Sequence, residues 1–120
     1  MKIVVVEPQK PAYTKEIESG LESLQREVGG LIQEIYLYGD KVALICNEEG
    51  KLHNLPPNRL LYDDTGEVYD IIAGTFLVVG LTEDNFGSLT EKQIETYLEV
   101  YSKVPNMQQE FVQRYMALFT

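Results

Sequence analysis

Histidine and cysteine occur once each in this chain, at His53 and Cys46, and tryptophan does not occur. A single cysteine cannot close an intramolecular disulfide. It lies in an apolar run where a buried thiol is the plain reading, so a reducing cytoplasm is the expected setting. Zinc asks for a converging set of thiolate and imidazole ligands, and here one of each stands seven positions apart with nothing of the kind nearby. No metal and no cofactor is expected.

Basic residues are also scarce, ten Lys and Arg against nineteen Asp and Glu, for a net charge of −9. Phosphate binding draws on a basic surface that releases counterions, so direct contact with nucleic acid is not expected. An anionic membrane is disfavoured for the same reason. Long apolar runs are missing too: the stretch after Met1 breaks at Glu7-Pro8, too short for a signal-peptide core or a bilayer span. The expectation is a soluble protein of the cytoplasm.

Catalytic patterns are equally thin. His53 follows a turn with no Ser or Cys motif around it. Gly29-Gly30 follows a helical segment instead of opening one, and no Lys-Ser/Thr comes after it, so it is not a phosphate cradle. Asp63, Asp64, Glu67 and Asp70 lack calcium-loop spacing and read as a solvated turn. Paired-carboxylate chemistry stays open, because any two of nineteen acids can converge in space, yet no pair is singled out. The reading leans away from an enzyme and names no catalytic residue.

What the chain does have is enough apolar material for one packed domain: 120 residues, 44% of them hydrophobic. After Lys2, the residues Ile3, Val4, Val5 and Val6 form a continuous β-branched run, and residues 2–6 suit a strand covered on both faces. Residues 16–28 place Ile17, Leu21, Leu24 and Val28 at helical spacing, with Gly29-Gly30 able to close the helix, although Gly20 weakens its first half. Residues 32–46 predict a β-hairpin around a Gly39-Asp40 turn of type II′. Residues 51–55 suggest a third short strand, and residues 60–62 an extended piece. Residues 69–81 make the longest apolar segment, read as strand, with Gly74 marking a bulge or a close backbone approach.

Thr90-Glu91-Lys92-Gln93 is a capping box, and Ile94, Tyr97, Leu98 and Tyr101 follow at helical spacing. After Pro105, Asn106 and Gln109 suggest a second cap. The terminal helix they would open carries Met107, Phe111, Tyr115, Leu118 and Phe119 on one face. A helix this short needs that face buried, against its own domain or in a homodimer. The order of elements predicts an α+β domain over residues 1–104, a mostly antiparallel sheet with helices packed on one face, plus a C-terminal helical extension over 105–120.

The densest polar punctuation lies in residues 45–59, where an apolar strand leads into a polar turn and a Pro-Pro corner and Asn47, Glu48, Lys51, Asn58 and Arg59 crowd within thirteen positions. Read plainly, these are loop residues. Read functionally, they surround a small-ligand pocket backed by the strand of Gly74, with Arg59 as a planar cation for a carboxylate or phosphate. The acidity likewise has two readings. It keeps the protein soluble, or Glu18, Glu22, Glu91, Glu95 and Glu99 imitate the phosphate array of DNA toward a basic protein.

Several short stretches in order carry a family resemblance: Val28-Gly29-Gly30, the run from Ile45 to Lys51, Leu55-Pro56-Pro57-Asn58-Arg59, the run from Asp70 to Phe76, and Ser88-Leu89-Thr90. Over about residues 3 to 101 the chain resembles a small uncharacterised domain-of-unknown-function family, number 3846 in its series. Similar copies are carried by phages, plasmids and conjugative elements of Gram-positive gut bacteria. The resemblance assigns no catalytic residue. It implies a setting among mobile-element genes that include antirestriction-type proteins. The leading expectation is therefore a non-enzymatic accessory or anti-defence protein that binds a host protein, with a nucleotide or metabolite module built on the 47–59 loop as the alternative.

Overall fold

A computed structural model of the protein describes residues 1–36, 40–107 and 110–118, with the backbone alone at Phe111. Four strands set the frame: β1 (Lys2–Val6), β2 (Tyr13–Glu16), β3 (Ile32–Tyr36) and β4 (Val42–Asn47). They join β7 (Phe76–Leu81) in a sheet of order β2-β1-β7-β4-β3, with the two-residue β8 (Phe86–Gly87) paired to β7. Every pairing in it is antiparallel. The β3–β4 hairpin forms in the register Ile32↔Asn47 to Tyr36↔Ala43, while Gly39 of its expected turn lies outside the described residues.

The three central strands explain the layering. In β1 after Lys2, in β4 throughout and in β7 as far as Gly80, every residue is buried, so both faces of the sheet need cover. Ile3, Val5, Ala43, Ile45, Leu77 and Val79 point to one face, closed by Leu24 and Val28 of α1 (Leu21–Val28). Val4, Val6, Val42, Leu44, Phe76 and Val78 point to the other, closed by Ile94, Tyr97 and Tyr101 around α2 (Glu91–Val100). The α+β class and the mostly antiparallel sheet are as the sequence predicts. The helices are not on one face, however: each of the two covers its own, because runs without alternation leave no solvent side.

α2 starts at the predicted capping box, with Thr90 accepting from the Gln93 backbone N–H at 3.1 Å and Gln93 accepting from that of Thr90 at 2.9 Å. α1 is shorter than the helical spacing suggests. Glu16, the first residue of the expected helix, ends the edge strand β2 instead, residues 17–20 lie between the two elements, and Gly20 precedes the helix at φ 111°. α1 closes on Gly29 at φ 80°, as expected of that glycine.

A second, two-stranded sheet pairs β5 (Pro57–Tyr62) with β6 (Val68–Ala73). The apolar segment 69–81 is therefore two strands in two different sheets, broken at Gly74, which has φ 84°. The expected strand over 51–55 is a helical turn, held by His53 N–H to the Glu49 carbonyl at 3.0 Å and Leu55 N–H to the Gly50 carbonyl at 3.0 Å. The left-handed Asn54, at φ 56°, ends it. Leu61 and Ile72 of β5 and β6 join the α2 side of the core. Ile71 points the other way and meets Met107 and Val112 from α3 (Glu110–Ala117) and the segment before it.

Candidate binding site

The predicted polar cluster separates into internal ties and surface groups. Asn47, at the end of β4, donates to the Val28 carbonyl at 3.2 Å and accepts from the Glu49 backbone N–H at 2.8 Å, so it pins the end of α1 to the sheet. Asn58 is fully buried. Its amide donates to the carbonyls of Val6 at 2.8 Å and Gly74 at 2.9 Å, and its oxygen accepts from Arg59 at 2.8 Å. Gly74 faces inward as well: a Cβ there would stand 2.7 Å from Leu55 Cδ1. The close approach read from its position is real, and what approaches is a neighbouring leucine.

Arg59 is 4% exposed. Its Nη1 donates to the carbonyl and side-chain oxygens of Asn58, and its Nη2 to the carbonyls of Lys10 at 2.9 Å and Tyr101 at 3.1 Å. The guanidinium thus ties β5 to the loop after β1 and to the C-terminal end of α2, whose dipole favours a cation. All four acceptors are neutral oxygens. Burial lowers its pKa from the usual value.

Glu48 is exposed, and Lys51 pairs with the Asp70 carboxylate. Tyr115 of α3 donates to the same carboxylate at 3.0 Å, and its ring centroid lies 5.2 Å from Lys51 Nζ. Burial works against the charge of Asp70, but the hydrogen bonds from Lys51, the Ile71 backbone N–H and Tyr115 outweigh it and hold the carboxyl below its usual range. Asn47, Glu48, Lys51 and Asp70 share a cavity of about 330 Å³ with Cys46 in its wall. Asn58, Arg59 and Gly74 do not line it. Burial, with Asp70 second, pushes the Cys46 thiol up to about 11, so it is a protonated core thiol and not a nucleophile at neutral pH.

A larger groove of about 570 Å³ opens between the β5–β6 sheet and the end of α2. Tyr62 and Tyr69 stand on the sheet side, Tyr97 and Tyr101 on the helix side, and Arg59 also lines it. Tyr97 and Tyr101 stack at 6.5 Å between ring centroids, and Tyr101 meets Phe76 edge-on at 5.2 Å. Burial raises the Tyr101 phenol to about 12, while burial and the hydrogen bond to Asp40 raise that of Tyr97. The mouth carries Tyr62, Tyr69, Val100 and Val104, at 58%, 52%, 55% and 43% exposure. Sequence reasoning places Tyr97 and Tyr101 on a core-facing helix stripe and passes over Tyr62 and Tyr69. The one available signal was a pair of tyrosines flanking the turn that joins two short strands.

Of the terminal face expected to be buried against its own domain or in a homodimer, Met107 and Tyr115 pack on this chain. Met107 and Val112 are buried against Ile71, with Leu60, Tyr115 and Met116 around them. Leu118 is 77% exposed; Phe119 and Gln109 lie outside the described residues, as does the side chain of Phe111. Among the described residues no three His, Cys, Asp or Glu are placed to hold a metal ion, and no helix is long and apolar enough to cross a membrane.

Compared with known families, residues 1–102 match the model described as a domain of unknown function, DUF3846. The match takes in both sheets, α1 and α2, and stops before α3. No curated protein and no solved structure matches the chain.

Proposed function

The chain belongs to the DUF3846 family, and from that premise we propose that it is a non-catalytic accessory protein of the cytoplasm that works by holding a basic partner protein against its acidic exterior. The observation that carries this reading is the disposition of its acids. Glu18, Glu22, Glu91, Glu95 and Glu99 are all exposed, and none forms an ion pair among the described residues. With a net charge of −9, their field steers a basic surface toward the protein and raises the association rate.

In the setting that the resemblance implies, a mobile element inside a bacterial host, the partner is a host defence protein such as a nuclease. Its DNA-binding groove is basic, and Glu91, Glu95 and Glu99, spaced four apart along α2, stand in for phosphates, while Glu18 and Glu22 lie on the α1 side of the sheet and add to the general field. Direct binding of nucleic acid by this chain forms no part of the reading.

Capture from host lysate on the immobilised full chain tests it, beside a variant with Glu18, Glu22, Glu91, Glu95 and Glu99 changed to Lys. These side chains are exposed, so the variant keeps the fold, checked by its thermal midpoint. A partner retained by the parent, released by salt and lost from the variant is expected. A lysate that enriches nothing, or a partner indifferent to the charge reversal, refutes the reading.

A further inference from the structure

The tyrosine groove has a charge pattern opposite to that of the protein as a whole. Acids outnumber bases by nineteen to ten along the chain, yet the groove's charged lining residues are Arg59 and Lys103, and no acid lines it among the described residues. Lys103 is exposed at the rim and takes part in no ion pair among the described residues. Arg59 is nine-tenths buried in the wall and hydrogen-bonded only to neutral oxygens. Its Nε is the one buried side-chain polar atom without a hydrogen-bond partner among the described residues.

A buried donor left without an acceptor is costly, and a buried cation with no carboxylate beside it more so. The remaining lining is apolar or aromatic, and about 570 Å³ falls within the range of small-molecule pockets. Four exposed large side chains gathered at one mouth offer flat rings and branched aliphatic surface to a ligand body.

We propose that this groove is a binding site for a small apolar carboxylate. The ring or alkyl body of the ligand lies among Tyr62, Tyr69, Tyr97 and Tyr101, and its carboxylate turns to the Lys103 ammonium, above the buried guanidinium of Arg59, which has no carboxylate partner among the described residues. The site is separate from the exposed glutamates and stands or falls independently of the partner-binding role.

Titration of the full chain with indole-3-acetate, 4-phenylbutyrate and octanoate tests it, with indole-3-acetamide as the neutral isostere of the first, read by calorimetry and by amide chemical shifts. At least one acid is expected to bind saturably, with shifts at Tyr62, Tyr69 and Lys103. For an indole ligand the acid should bind at least tenfold tighter than the amide. Lys103→Glu, a change at an exposed side chain whose folding is checked by its thermal midpoint, should weaken acid binding at least tenfold. Absence of binding by all three acids at millimolar concentration overturns the proposal. So does equal affinity for acid and amide, binding that ignores Lys103→Glu, or shifts confined to residues outside the groove.

Discussion

Arg59 Nη2 lies 3.1 Å from the carbonyl oxygen of Tyr101, a bond that joins the small β5–β6 sheet to the last turn of α2. The same nitrogen reaches Lys10 at 2.9 Å, and the other terminal nitrogen holds Asn58. One planar cation therefore fixes the relation of three chain segments, and the groove between sheet and helix keeps its shape because of it.

Lysine cannot reproduce that fork. Arg59→Lys keeps the charge but loses most of the four bonds and leaves buried carbonyls unpaired. A loss of about 3 kcal/mol is expected, read as a lower urea midpoint with an unchanged slope. A midpoint within experimental error of the parent would show that the ties contribute little.

Gly74 joins β6 to β7 in a left-handed conformation, with Leu55 where a side chain would be. Gly74→Ala should cost about 2–3 kcal/mol, part backbone strain and part collision. In a Leu55→Ala background the same change should cost about 1 kcal/mol less, since the backbone strain persists. Denaturant unfolding of the four proteins gives the coupling directly, and strict additivity would mean that the collision relaxes at no cost.

The Lys51–Asp70–Tyr115 contact sets an acid-side dependence. The folded pKa of Asp70 lies below its unfolded value, so its contribution is complete above about pH 4 and fades as pH falls through the folded value. Asp70→Asn should be less stable than the parent at pH 7 by about 1 kcal/mol, after allowance for partial solvent screening. The gap should close below about pH 4. Thermal melts of both proteins from pH 7 to pH 3 check this; a gap that widens toward acid would contradict the sign.

Cys46 is 5% exposed, with its thiol near 11. Alkylation by iodoacetamide at pH 8 should be slower in the folded protein than in urea by on the order of a hundredfold, because both thiolate fraction and access fall. Equal rates would place the thiol at the surface.

Legibility differed from element to element, for physical reasons. The Thr90 capping box and the continuous valine run of β1 are local: neighbouring residues decide them, and the structure has them where the pattern does. The 51–55 strand does not form because a strand needs a partner and those residues have none. α1 starts later than its spacing suggests because Glu16 pairs with Lys2 of β1 and Gly20 takes a non-helical φ. Gly74 was legible as a backbone exception, but that it divides two sheets was not, since β-branched spacing looks alike on either side of a turn.

The candidate sites divide in the same way. Asn47, Asn58 and Arg59 stand out in sequence because buried polar side chains with fixed partners often sit at corners. Here the bonds they donate go to backbone carbonyls, apart from one from Arg59 to the Asn58 side chain, and Asn47 accepts one from the Glu49 backbone N–H. Tyr62 and Tyr97 are thirty-five positions apart, and nothing in either neighbourhood tells of the other.

Composition and local pattern by themselves determined the α+β class, the excess of acids, the isolated cysteine and the cap of α2, because each depends on residues close in the chain or on their totals. Only the tertiary structure decided that one helix covers each face of the sheet, that Arg59 lies buried without a carboxylate, and that four tyrosines meet around one groove. Those facts arise from contacts between segments far apart in the chain, which no local pattern records.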